Sequence, residues 1–281
     1  MTKFYIITPC FNAEKYIEET IHSVLSQTVL QNINAELEYW IIDGGSSDKT
    51  VEIARRFKSP YIHILSEKDR GLYDALVKGI RKITTPGICG YLNAGDLYSR
   101  QAFEIVLELF ETKNIKWLTG INAVFNYKSQ LVNFYIPYQY RPRLFSCGAY
   151  GDFLPYVQQE VTFWHSSLNT FLDLEKLSRF QLAGDYYLWH TFSKHEPLNI
   201  ACAYLGGFKI HQNQLSVEKK QIYENEKRAI VHKPFLIHKL FLLNAALMLW
   251  DRLLWYAPPK VKKAFNPKTF FLYDHAKQAW Y

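Results

Sequence analysis

Long apolar runs are missing from this 281-residue chain. In its C-terminal region the longest uncharged stretch is Leu240–Trp250. That is well short of the roughly 20 apolar residues a bilayer span needs. The first residues lack a charged start followed by an apolar core, and a strand pattern begins by Phe4, so no secretory leader is expected. The four cysteines, Cys10, Cys89, Cys147 and Cys202, form no Cys-x-x-Cys pair. Cys89 and Cys202 sit inside apolar runs, which points to reduced thiols in a reducing compartment. Internal repeats and low-complexity segments are also absent, so repeat architectures drop out.

The composition, 48% hydrophobic and 21% charged, is that of a globular protein with a substantial core. Aromatic residues make up 16%, and part of that excess lies near the C-terminus. The net charge of +7 is unevenly placed: from Val217 onward there are 12 lysines and arginines against 5 acids, whereas residues 1–216 are neutral. A basic region suits nucleic acid, anionic lipid or plain solubility. Its mixture with Phe, Leu and Trp favours lipid, and nucleic acid is not an expected partner.

Four short polar stretches punctuate the first hundred residues. They are Thr8-Pro9-Cys10-Phe11-Asn12, Asp43-Gly44-Gly45-Ser46-Ser47-Asp48, Asp69-Arg70-Gly71-Leu72-Tyr73-Asp74 and Asn93-Ala94-Gly95-Asp96. Each follows an apolar run with strand character: Phe4–Ile7, Tyr39–Ile42, Tyr61–Leu65 and Ile88–Leu92. In open α/β sheets ligands bind outside the carboxyl ends of the strands. The four turns are therefore expected to converge on one crevice suited to a nucleotide and a metal ion.

Strand and helix signals alternate to residue 112, which predicts a mostly parallel sheet with crossover helices. Helices are expected over Ala13–Gln27 with Asn12 as N-cap, after Ser46 or Ser47, along Leu72–Ile80 and over Arg100–Glu111. Trp117–Phe125 and Leu131–Ile136 read as strands, Gln158–Trp164 as a strand or ordered loop with a helix near Leu168, Asp185–Phe192 as a helix, and Ile200–Ile210 as strands pairing around Gly206-Gly207. The division expected is a catalytic domain over 1–216 and a helical, basic extension over 217–281. The extension holds a charged helix over Glu218–Ile230, an apolar helix from Pro234 to Leu254 and the basic segment Lys260–Phe265.

These motifs, in this order, resemble the family 2 glycosyltransferases of the GT-A fold, over about residues 1–215. Within that family the chain is similar to bacterial enzymes of surface-polysaccharide assembly, of the colanic-acid, exopolysaccharide and lipopolysaccharide type. The resemblance places Thr8, Pro9, Phe11 and Glu14 at the nucleoside, with Asp43 and Gly44 at the base. Asp69, Arg70 and Gly71 fall near the phosphates or base, and Asn93, Gly95 and Asp96 at the position of the family's Asp-x-Asp motif. Asp96 is the metal ligand it implies, for Mg²⁺ or Mn²⁺. Gln159, Glu160 and Trp164 match a Gln-Glu-x-Thr-Phe-Trp pattern near the acceptor or donor sugar. Asp185 matches the general base, and His211 a late histidine near metal or phosphates. Structural alternatives stay open. Asp43 is a cap for its own turn, Glu14 and Asp74 are first-turn helix acids, Glu160 pairs with Arg179 or a backbone turn, and His211 is a hydrogen-bonded structural residue.

The resemblance implies an inverting, metal-dependent hexosyl transfer from a nucleotide diphosphate sugar, most simply a UDP-sugar, to a saccharide or lipid-linked saccharide. The expected location is cytoplasmic, peripheral on the inner face of the membrane, with the basic amphipathic region against anionic lipid. Two other classes compete. A nucleotidyltransferase would carry a Gly-rich, Arg- or Lys-bearing loop after its first strand, where Thr8–Asn12 stands. A non-catalytic sugar-nucleotide-binding protein would have no use for both Asp96 and Asp185.

Overall fold

The computed structural model describes residues 1–31, 35–210, 220–231 and 241–281. At its centre is an eight-stranded sheet built from β1 (Thr2–Cys10), β2 (Ala35–Asp43), β3 (Ile62–Ser66), β4 (Ile88–Tyr91), β6 (Trp117–Thr119), β9 (Thr162–His165), β10 (Asn199–Ala201) and β12 (Phe270–Phe271). The strand order is β12-β10-β6-β9-β4-β1-β2-β3. Every neighbouring pair is parallel except those of β9, which runs antiparallel to β4 and β6.

A strand covered on both faces must be apolar throughout, and β1 is: Phe4, Tyr5, Ile6 and Ile7 are all fully buried. Successive side chains point to opposite faces. Phe4 and Ile6 therefore pack in one core with Ile21 and Val24 of α1 (Ile17–Leu25) and Phe103 and Val106 of α5 (Ala102–Lys113). Tyr5 and Ile7 pack in the other, with Leu76 and Ile80 of α4 (Leu72–Ile80) and Trp189 of α8 (Gly184–Phe192).

Three expectations are corrected. The first helix begins at Ile17, not Ala13, and ends at Leu25. Asn12 takes a left-handed backbone (φ 48°) and turns its side chain toward Ser47, so it does not cap that helix. Trp117–Phe125 is not one strand. The chain leaves the large sheet at Gly120, where a Cβ would lie 2.7 Å from Leu205 Cγ, and continues as β7 (Asn122–Phe125) in a smaller sheet. Ile200–Ile210 divides in the same way: β10 and β11 (Gly206–Lys209) do not pair with each other. The small sheet has the order β5-β11-β7-β8, with β5 (Leu97–Tyr98) and β8 (Leu131–Tyr135) at its edges.

Past residue 219 the chain is woven into the same body. It forms the helices Lys220–Ile230, Phe241–Trp255 and Pro259–Phe265. The edge strand β12 then joins β10, and Ile230, Val231, Leu254 and Trp255 lie in the core beside Tyr140 and Phe145. Asp251 is fully buried and accepts from Arg141 Nε at 2.8 Å and Nη2 at 2.8 Å. Among the described residues no helix is long and apolar enough to cross a membrane. All four cysteines are free.

Candidate active site

The parallel register aligns Cys10 with Asp43 and Asp43 with Ser66, so the turns after β1, β2 and β3 meet at one edge. They are laced together by side chains. Asn12 Oδ1 accepts from Ser47 N at 3.0 Å, and Asn12 N donates to Ser46 Oγ at 2.8 Å. Asp48 accepts from Glu14 N at 3.0 Å, and Glu14 accepts from Lys49 N at 3.1 Å. Asp43 is buried. One of its oxygens accepts from Gly45 N at 3.1 Å, Ser46 N at 3.0 Å and Ser66 Oγ at 2.7 Å, and the other from Ser46 Oγ. Asp69 accepts from Gly71 N at 2.9 Å and sits so close to Gly44 that a Cβ there would be 2.7 Å from its carboxylate oxygen. Burial raises the Asp69 pKa, against the pull of the Gly71 amide. Arg70 pairs with Asp74 at 2.8 Å and donates to Ser178 at 2.9 Å.

The carboxylates of these turns therefore accept bonds from their own and neighbouring turns. Phe11 is the group they leave open, at 63% exposure. Thr8 and Pro9 are buried in β1, and the Thr8 and Tyr39 hydroxyls are hydrogen-bonded at 2.9 Å.

A second group of acids has a different character. Asp96 follows β4 in a loop shaped by Gly95 (φ 112°). It is buried, accepts from Gln159 Nε2 at 3.1 Å and from Lys209 N at 3.2 Å, and burial lifts its pKa to about 7. Glu160, at 1% exposure, has no hydrogen-bond partner among the described residues on either carboxyl oxygen. Burial raises its pKa well above the usual range, and the charges of Asp96 and Asp185 add to this. The alternative pairing of Glu160 with Arg179 is not formed. Asp185 stands in the first turn of α8, accepts from Tyr186 N at 2.6 Å, and is lifted by burial to about 6. Asn93 Oδ1 and Gln159 Oε1 are likewise buried without partners among the described residues.

Distant segments thus bring Asn93, Asp96, Gln159, Glu160 and Asp185 together. Trp164 does not belong with them. It is fully buried among Tyr91, Trp189 and Phe192, and its indole N–H is taken by Asn169 at 2.8 Å. His211 lies outside the described residues. Two tyrosines join the group unannounced. Burial raises the Tyr73 and Tyr91 phenols, and the Asp185 charge adds to this in both. Tyr73 stands within the third polar stretch, so its position was visible in sequence, but its contact with the α8 region was not.

A cluster of acids with raised pKa values at the carboxyl edge of a mostly parallel sheet, Glu160 among them unpartnered within the described residues, defines a candidate catalytic centre of the GT-A type. The Glycosyl transferase family 2 model matches residues 5–152, more than half of the chain, and the chain belongs to that family. Over 223 residues it is 26% identical to the UDP-Glc:alpha-D-GlcNAc-diphosphoundecaprenol beta-1,3-glucosyltransferase WfgD of Escherichia coli, covering 76% of this chain and 79% of that one. It is 31% identical over 111 residues to the minor teichoic acid biosynthesis protein GgaA of Bacillus subtilis, covering 38% of this chain and 24% of GgaA's length. Its fold is that of Staphylococcus aureus TarS 1-349, solved with UDP-GlcNAc, at a TM-score of 0.62 and 12% identity over 87% of this chain and 69% of that one. The same TarS fragment was also solved with UDP.

Proposed function

We propose that this glycosyltransferase acts in cell-surface glycan assembly. It transfers a hexose, with inversion, from a UDP-sugar to a hydroxyl of a saccharide or lipid-linked saccharide. The carrying observation is Asp185, a carboxyl at a helix start whose pKa of about 6 leaves it ionised at neutral pH yet basic enough to take a proton. The names of WfgD and GgaA support the glycan class, and the TarS complexes support a UDP-type donor.

In this reading the nucleoside lies across the turn edge, with the base against Phe11 and the backbone of the Asp43–Gly44 turn. Asp43 acts chiefly by shaping that turn. Asp185 removes the acceptor proton as the hydroxyl attacks the anomeric carbon, and the nucleoside diphosphate departs from the opposite face. Glu160 and Gln159 offer free oxygens to sugar hydroxyls.

The residues present fit an Mg²⁺ or Mn²⁺ ion. Asp96 supplies a buried carboxylate and Asn93 an unpartnered amide oxygen, and such ions take one or two carboxylates plus substrate phosphates. Among the described residues no cluster of three or more His, Cys, Asp or Glu offers an all-protein cage. When bound, the cation supplies positive charge to the leaving diphosphate.

Contact with anionic lipid is supported by the helix Phe241–Trp255, which exposes Leu242 (81%) and Leu253 (73%), with Trp250, Tyr256 and Phe265 nearby. The test is nucleotide release from UDP-, GDP- and dTDP-sugars with Mn²⁺ or Mg²⁺. The expected result is release from a UDP-sugar that Asp96→Ala abolishes. Failure of every nucleotide to bind in the presence of metal would refute the donor site. Flotation with anionic vesicles, with Leu242→Asp/Leu253→Asp as control, tests the lipid surface.

A further inference from the structure

The helix Lys220–Ile230 lies in the basic C-terminal region, yet its Glu226 reaches the entrance of α8. Glu226 Oε1 accepts from Gln181 N at 2.7 Å, and Oε2 accepts from Leu182 N at 2.9 Å and Ala183 N at 2.9 Å. A helix leaves its first amides without intrahelical partners, and negative charge is favoured at that end. Ala183, at the N-cap, has no side-chain atom to serve them. A carboxylate more than forty positions away in sequence instead binds the three amides that lead into the helix, the last of them that of the N-cap.

The same segment is held from its other side. The Tyr73 hydroxyl donates to Leu182 O at 3.0 Å, and Gly184 lies so close that a Cβ would be 2.4 Å from the Tyr73 ring. The clamp itself is anchored. The neighbouring Lys227 is buried, donates to Tyr150 O at 2.7 Å and pairs with Asp152 at 2.8 Å. Ile230 sits in the core. Asp185 follows two residues after the last clamped amide, in the first turn of α8.

We propose that Glu226 is a positioning residue for Asp185: by gripping three consecutive amides it fixes where α8 begins and where the Asp185 carboxyl stands. This rests on the reading of Asp185 as the base. The C-terminal region is then part of the catalytic apparatus as well as a surface. Charge follows from the same placement. Among the described residues, the titratable groups whose charges act on Asp185 or feel it are Tyr73, Tyr91, Tyr156, Glu160, Tyr223 and Glu226. Among these, the Glu226 carboxylate holds the Asp185 proton more tightly, so its neutralisation moves the Asp185 titration to lower pH.

The deciding experiment is a carbon-13 NMR titration of the Asp185 carboxyl in the full chain, its resonance assigned by loss in Asp185→Asn. It is run on wild type, Glu226→Gln and Glu226→Asp, and needs no substrate. Glu226→Gln is expected to lower the midpoint. Glu226→Asp, which keeps the charge and withdraws it by one methylene, is expected to hold the midpoint nearer that of wild type while shifting the Gly184–Tyr186 amide resonances. With UDP-glucose and UDP-GlcNAc as probes, both variants are expected to lower nucleotide release about tenfold at unchanged UDP affinity. An unmoved midpoint in Glu226→Gln with unmoved amides in both variants overturns the proposal, even where thermal stability falls. Undiminished release by Asp185→Asn would instead remove the base assignment itself.

Discussion

The acids of the first two turns and the acids gathered around Asp96 occupy the same edge of one sheet in opposite conditions. Asp43 accepts four hydrogen bonds from its own turn and Ser66, Asp48 holds Thr50 and Glu14 N, and Glu14 holds Lys49 N. Glu160 accepts none from the described residues, and Asp96 and Asp185 are lifted by burial to about 7 and about 6. A satisfied carboxylate defines the shape of a loop. One whose charged form is disfavoured by burial is costly and marks a place where substrate, metal or a proton completes the site. The comparison divides the acids into builders and reactants.

The division is most easily broken at Asp185. Asp185→Asn is expected to lower turnover about 1000-fold. Its pKa is raised in the folded state, so wild-type stability declines as pH climbs through about 6. At pH 8 the variant is therefore expected to unfold at least as late in urea as wild type, with the advantage shrinking toward pH 4. The opposite signature belongs to Asp43. Asp43→Ala removes a buried carboxylate and its four part-buried hydrogen bonds and is expected to cost about 3 kcal/mol in urea unfolding. Wild-type turnover is expected to fall as pH drops through about 6, because the base must be ionised. A pH–rate profile checks that limb. At the small end, Glu14→Ala removes one bond to Lys49 N and is expected to cost about 1 kcal/mol with turnover unchanged.

The strands and the turns after them were legible because each buried run ends in a polar stretch: Ile42 before Asp43, Leu92 before Asn93. What failed was governed by contacts distant in sequence. Asn12 reads as a helix cap until Ser47 is seen to claim its side chain. Trp117–Phe125 is uniformly strand-like, and only the approach of Leu205 to Gly120 reveals a change of sheet. Trp164 fits a site motif, but its burial among aromatic rings makes it core. The basic excess after Val217 reads as a surface, yet Lys227 and Lys262 are buried, and Lys262 donates to Trp255 O at 2.8 Å. Composition counts charges without saying which are inside. The role of Glu226 was hidden for the same reason: three amides more than forty positions away define it.

The central claim is tested most directly by measuring, on one preparation each of wild type and Asp185→Asn, UDP affinity with Mn²⁺ and nucleotide release from the UDP-sugar that wild type turns over. The account predicts equal UDP affinity with release reduced about 1000-fold in the variant. Release at the wild-type rate, or loss of UDP binding along with release, would contradict it.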